Sequence, residues 1–229
     1  MDAYKGVFEA HITIMPLEYN AKKKFIAFCE MQGLKPVQIE LSRGDFVQQL
    51  MTSSQHKGEF EAVLASVKKI AQNLRKEGFE VKRVKLEASP FNENLPANNT
   101  EVARHPAENY FEHHLKLSLP ADLAGKEVTL LQICTLHKAH LSRNAFKENK
   151  NGLVERFVTV RHYGLGRQEA LACLDVLKEA ITINGFQILK TITEYCVYDD
   201  DVQLDANWLT LDYSTPCEVC ESACMLNPV

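Results

Sequence analysis

The sequence predicts an α+β fold of two tandem ferredoxin-like (βαββαβ) repeats with pseudo-twofold symmetry, whose polar sheet faces line a groove. Two observations carry this prediction. The first is internal similarity: VFEAHITIMPL at 7–17 and YFEHHLKLSLP at 110–120 set an aromatic residue, a glutamate, a histidine and an alternating apolar run in the same order. Three further pairs follow in register: ELSRGDF at 40–46 with HLSRNAF at 140–146, HKG at 56–58 with HYG at 162–164, and GFEVKRVKLE at 78–87 with GFQILKTITE at 185–194. Matches that keep their order at an offset of about a hundred residues point to duplication. The second observation is that each copy reads as strand, helix, strand, strand, helix, strand, the split βαβ order of a ferredoxin-like unit.

In the first copy, residues 7–14 alternate as a strand does, and AKKKFIAFCEMQG has helical content closed by a glycine. PVQIEL and FVQQLMTSSQ read as the next two strands. Phe60, Val63, Leu64, Val67, Ile70, Ala71 and Leu74 then trace one face of a long helix, and FEVKRVKLEA closes the unit as a strand. The second copy gives a strand at 110–119, a helix at about 121–136, strands near 138–142 and 154–162, a helix at 167–182 and a strand at 186–198. The domain division expected is therefore 1–90, a linker at 91–108 rich in Pro, Asn and Glu, 109–199, and a C-terminal tail at 200–229. Leu204, Trp208 and Leu211 imply that the first part of that tail packs on the body.

With 229 residues, 45% hydrophobic and 24% charged, the chain can bury a substantial core. A net charge of −4 creates no strong field for nucleic acid, and no apolar run is long enough for a membrane helix. The polar start MDAYKG leads straight into a strand pattern, so the expectation is a cytoplasmic protein without membrane contact. Seven cysteines, with Cys29, Cys134 and Cys173 inside helical patterns, fit buried free thiols better than a disulfide framework.

Alternation assigns side chains to two faces. In the first strand Phe8, Ala10, Ile12 and Ile14 face the helices and Glu9, His11 and Thr13 the other side. In its copy Phe111, His113, Leu115 and Leu117 face the helices, with His113 the exception in polarity, and Glu112, His114 and Lys116 the other side. The same reading puts Arg83, Lys85, Glu87, Lys190 and Glu194 on the open face, together with Gln38, Glu40, Lys138, His140, Ser53, Gln55, Thr159 and Arg161. A histidine pair across a shared groove suits phosphoester chemistry: near neutral pH one ring accepts a proton while the other donates one. His11 and His114 are the catalytic candidates.

Basic residues also fall before the second helix of each copy, in SSQHKGEFEA and TVRHYGLGRQEA. Cations are disfavoured at a helix N-terminus unless an anion compensates them, so His56, Lys57, Arg161 and His162 join Thr13, Lys116, Arg83, Lys85 and Lys190 as candidate substrate-binding residues. The ligand expected is a small anionic or nucleotide-like molecule.

HITI, from His11 to Ile14, resembles the His-x-Thr-hydrophobic motif of the two-histidine (LigT-like) phosphoesterase superfamily. That resemblance implies hydrolysis of a phosphodiester or cyclic phosphate, with His11 and His114 as general base and acid and Thr13 holding a phosphate oxygen. Lys116 stands where the second motif has Ser or Thr. Glu112-x-His114-x-Lys116 is similar in kind to the strands of triphosphate tunnel enzymes, without their second glutamate, and the duplicated layout also resembles fused dimeric ferredoxin-like barrels, some of which bind haem. A non-catalytic ligand-binding or protein-interaction module is the alternative reading. Cys217, Cys220 and Cys224 supply three thiols where a structural metal site needs four ligands, so neither metal nor cofactor is expected.

Overall fold

The structure is a computed structural model and describes residues 3–120, 125–146 and 152–208. Strand β1 (Lys5–Ile14) is followed by α1 (Tyr19–Met31), β2 (Lys35–Leu41), β3 (Gln48–Glu59), α2 (Phe60–Lys76) and β4 (Val81–Ala88). A short helix, α3 (Asn99–Val102), precedes β5 (Tyr110–Pro120), α4 (Lys126–Leu136), β6 (His140–Asn144), β7 (Leu153–Tyr163), α5 (Arg167–Ile183) and β8 (Gln187–Asp199). A 3-10 turn, Val202–Asp205, comes last.

The eight strands are antiparallel throughout and close into a barrel in the order β1-β3-β2-β6-β7-β5-β8-β4. Strand order β2-β3-β1-β4 recurs as β6-β7-β5-β8, and the two sets join at both edges through β2 with β6 and β4 with β8. Closure removes the exposed edges that two separate sheets would have, and it turns the expected groove into a barrel interior.

Helices cover the outer face. Helix α2 buries Val63, Leu64, Val67, Ala71 and Leu74, the stripe expected from the sequence, against β1, β3 and β4. Each fully buried aliphatic side chain of this kind contributes about 1.5–3 kcal/mol. They meet Phe8, Ile12, Ile14 and Leu86 in one cluster, while Leu115, Leu117 and Val158 pack with Leu130, Leu174, Leu177 and Ile181 in another. Helices α2 and α5 stop where Gly78 (φ 86) and Gly185 (φ 78) take the left-handed conformation and the next amide, of Phe79 or Phe186, bonds back to Leu74 or Ile181.

Three expectations are corrected here. Lys138 ends α4 with φ 51, and Ala139 N donates to Cys134 O at 2.7 Å; Lys138 therefore belongs to a helix terminus, and the strand starts at His140. In β2 the register sets Val37 opposite Met51 and Ile39 opposite Gln49, while Gln38 faces Leu50. Since His11 is level with Ser53, the inward positions of β2 are the odd ones, and Gln38 and Glu40 point outward. Glu40 accordingly bonds Arg143 Nε at 2.6 Å on the outer side. Finally, β3 continues to Glu59 because β1 begins at Lys5 and pairs with it there, so His56, Lys57 and Gly58 lie in a strand and not in a turn.

Residues 91–108 dock on the body. Asn92 accepts from Val7 N and donates to Val7 O, both at 2.8 Å, and Arg167 N bonds Pro96 O at 2.9 Å. Leu204 and Trp208 are buried, as expected; Leu211, Cys217, Cys220 and Cys224 lie outside the described residues. Among the described residues, no helix is long and apolar enough to cross a membrane.

Candidate functional site

Alternation along the strands fills the barrel interior with polar groups. β1 sends in Glu9, His11 and Thr13; β4 sends Arg83, Lys85 and Glu87; β5 sends Tyr110, Glu112, His114 and Lys116. Arg161 and Thr159 enter opposite Glu112 and His114, and Glu194 enters beside Glu112. Exposure changes along β5: Tyr110 and Glu112 are buried, whereas His114 and Lys116 are partly accessible. The interior thus has a sealed end and an accessible end.

Asp205 seals the first. Its Oδ2 accepts from Arg83 Nη1 and from Arg161 Nη2, each at 2.8 Å, and its Oδ1 accepts from Gln49 Nε2 at 2.8 Å. Arg83 Nε also donates to Asp199 Oδ1 at 2.8 Å, Tyr110 Oη donates to Asp199 Oδ2 at 3.1 Å, and the Arg161 guanidinium lies 4.6 Å from the Tyr110 ring centre. Burial alone would raise the Asp205 pKa; Arg83 and Arg161 instead hold it well below the usual carboxylate range. The two arginines expected to bind substrate are therefore paired with the protein's own carboxylates, Arg161 also with Glu112, although Arg161 Nη1 is buried with no hydrogen-bond partner among the described residues. Thr13 is buried, level with Arg83 in the register. Sequence reasoning missed Asp205, although its place between the buried Leu204 and Trp208 was a signal that it goes inside.

Lys85 spans the middle, with Nζ 2.6 Å from both Glu87 Oε1 and Glu112 Oε1. Burial would raise the Glu87 pKa, but Lys85, then His11, lowers it to about 2. Toward the accessible end, His11 Nε2 lies 3.3 Å from Glu87 Oε2 and 3.5 Å from Glu9 Oε1, while Glu9 accepts from Ser53 Oγ at 2.8 Å. His114 Nε2 lies 3.0 Å from Glu112 Oε1 and 3.9 Å from Glu194 Oε2, and its Nδ1 is 2.9 Å from Thr159 Oγ1. Burial, reinforced by Glu87 and Glu9, pushes the Glu194 carboxyl up to about 9. Ligand atoms of Glu87, His114 and Glu194 all fall within 4.8 Å of one another, a grouping no sequence motif announced. Farther out, Lys116 pairs with Glu155 at 2.5 Å and stands directly opposite the exposed Lys190 in the register.

Of the basic residues before the long helices, Arg161 joins this interior, whereas His162, His56 and Lys57 do not bond to its charged groups. His162 lies on the helix side of β7 with its ring 5.3 Å from His113, both buried. Burial pushes His113 down to about 3, helped by His162 and His114, and His162 down to about 4, so both are neutral core histidines. His56, also on the helix side of its strand, shares a 2.9 Å hydrogen bond with Ser54, and Lys57 is exposed. Each of these residues therefore lies in a strand, and not in a turn before a helix.

No family model and no curated protein matches this sequence. Among solved structures, a variant of chlorite dismutase from Candidatus Nitrospira defluvii is similar over 96% of this chain and 95% of that one, at 11% identity and a TM-score of 0.29.

Proposed function

We propose that the protein binds a small phosphorylated or otherwise anionic molecule at the accessible end of the barrel interior. The observation that carries this reading is Lys116 directly opposite Lys190, at the rim above His114. Like charges in opposed cross-strand positions repel; Glu155 compensates Lys116, whereas Lys190 has no ion pair among the described residues, so an anion at Lys190 supplies the counter-charge this side of the rim lacks. The recurrence of one strand order in both halves supports a duplicated unit with pseudo-twofold symmetry, each copy contributing one histidine. Four buried free thiols fit a reducing compartment, which supports a cytoplasmic setting.

A non-catalytic module is the favoured form. Each inward nitrogen meets carboxylates, His11 between Glu9 and Glu87 and His114 against Glu112. A ring nitrogen that donates to a carboxylate is not offering the lone pair a general base needs. Phosphoester hydrolysis, which the resemblance to two-histidine phosphoesterases implies, is the second reading; it is favoured by the placing of both histidines near Glu87, His11 at 3.3 Å and His114 within 4.8 Å.

Two-dimensional NMR of the histidine rings, titrated with inorganic phosphate and a cyclic nucleotide monophosphate, tests the proposal. His11 and His114 signals that shift together and saturate in the wild type, and fail to do so in Lys190→Glu, support anion binding. Rings that ignore both ligands overturn it. Hydrolysis lost in both His11→Ala and His114→Ala at unchanged melting temperature would select the phosphoesterase form.

A further inference from the structure

We propose that Glu87, His114 and Glu194 bind a divalent transition-metal cation inside the barrel. The three come from strands β4, β5 and β8, and their ligand atoms already lie within 4.8 Å of one another. Donors around a tetrahedral ion with bonds of about 2.0–2.1 Å sit roughly 3.3 Å apart, so a closure of an ångström or so completes the set. One imidazole and two carboxylates suit Zn²⁺, Co²⁺, Mn²⁺ or Fe²⁺ better than Mg²⁺, which prefers oxygen ligands alone.

Charge and hydrogen bonding point the same way. Glu9, Glu87, Glu112 and Glu194 crowd this region; Lys85 bonds Glu87 and Glu112, and Arg161 bonds Glu112 again. Glu194 is left with a single ion-pair contact within 4 Å among the described residues, His114 Nε2 at 3.9 Å. A largely enclosed carboxyl with so little compensation is costly to ionise, and a cation at this point offsets that cost.

His114 is prepared as a ligand. His114 Nδ1 shares a 2.9 Å hydrogen bond with Thr159 Oγ1, which holds the ring with Nε2 toward the carboxylates; a cation would take Nε2 in place of the proton that bonds Glu112, leaving the ring proton on Nδ1. Beside the cluster, His11 Nδ1 is buried with no hydrogen-bond partner among the described residues, so the bonding of this neighbouring ring is incomplete. Three protein ligands leave at least one coordination position open. An anion held by Lys116 and Lys190 could fill it, but the metal site stands whether or not that anion binds.

Cobalt(II) titration of the full-length, metal-stripped protein, followed by visible absorption, is the test. The expected result is one equivalent bound with the weak d–d bands of nitrogen and oxygen ligands, displaced by Zn²⁺, and an affinity at least tenfold lower in Glu194→Gln and in His114→Gln. Lys190→Glu should bind cobalt as the wild type does while losing phosphate, so failure of the anion reading and failure of the metal site are told apart. Absence of binding, a loss of less than tenfold in either variant, or the intense charge-transfer absorption of cobalt thiolate overturns the proposal. If His114→Gln fails to fold by circular dichroism, the nearly isosteric Glu194→Gln decides alone.

Discussion

Asp205 Oδ2 accepts a hydrogen bond from Arg83 Nη1 at 2.8 Å inside the barrel, tying the 3-10 turn after β8 to strand β4. The same oxygen takes a second bond from Arg161, so one side chain from the end of the described chain neutralises two fully interior guanidinium groups. A ligand carboxylate or phosphate would be held in the same way.

Asp205→Ala should therefore be severe. It leaves Arg83 and Arg161 short of a counter-charge in a region where Asp205 is 1% exposed, and breaking a buried ion pair from one side costs about 3–5 kcal/mol. Urea unfolding of wild type and variant measures this directly. Phosphate or sulfate at millimolar concentration should raise the unfolding midpoint of the variant by more than that of the wild type, because only the variant exposes a two-arginine cradle. A variant as stable as the wild type would mean that Asp205 is not the seal.

Acid should weaken the fold through histidines that the interior holds neutral. His113, His140 and His162 are held near 3, 4 and 4 by burial, aided by His162 and His114 at His113 and by Arg43 and Arg161 at His140, against about 6.5 in an unfolded chain. Between those values the unfolded state binds more protons than the folded one, so stability rises with pH; equivalently, it is lost as pH falls from about 6.5 toward 4. Each such histidine contributes a slope of up to about 1.4 kcal/mol per pH unit. Denaturant unfolding at pH 7, 6 and 5 should show the decline, and His162→Phe should flatten it by roughly one histidine's share. An unchanged slope in His162→Phe would show that this ring is not held neutral.

Gly166→Ala should separate the linker from α5. A Cβ there would lie 2.1 Å from the backbone carbon of Asn98 and 2.6 Å from its carbonyl oxygen, and backbone cannot swing away as a side chain can. The φ of Gly166 is −75°, so crowding alone opposes the change. Opening the contact also strains Gly166 N to Asn99 Oδ1 at 2.8 Å and Arg167 N to Pro96 O at 2.9 Å. A loss of about 1–3 kcal/mol is expected, with faster amide exchange at residues 96–102 than elsewhere. Uniform exchange across the chain would argue against a local effect.

What the sequence revealed and what it hid follow from the range of the forces involved. Glu112, His114 and Lys116 could be placed on one face because alternation along β5 is local, and the α2 stripe from Val63 to Leu74 was legible for the same reason. Barrel closure was not legible: the pairing of Leu41 with Ser142 or of Lys85 with Asp199 joins segments about a hundred residues apart, with no pattern to mark it. Gln38 failed because its strand inverts the usual assignment, with Val37 and Ile39 inside and a polar Gln38 outside. His56 failed because β3 runs on to Glu59 and carries it on the helix side, and His162 because its place on the helix side of β7 buries it as a neutral ring. Asp205, Glu194 and Glu87 acquire their meaning only from partners on other strands.

The buried thiols give the last test and bear on the whole barrel. Burial pushes Cys29, Cys134 and Cys196 up to about 12, and Cys173 is equally enclosed. Alkylation proceeds through the thiolate, so at pH 8 only about one thiol in ten thousand is reactive at each of the three, and access is blocked besides. Iodoacetamide followed by peptide mapping should leave all four unmodified in the folded protein and modify all four in denaturant. Cys196 is the informative one: it sits on β8 level with Tyr110 and Glu87, among the charged groups of the interior. Selective labelling of Cys196 in the folded state would mean that the sealed end opens, releasing Asp205 from Arg83 and Arg161. Protection of Cys196 equal to that of Cys134 in the helical core would mean that solvent reaches the interior only from the His11 and His114 end.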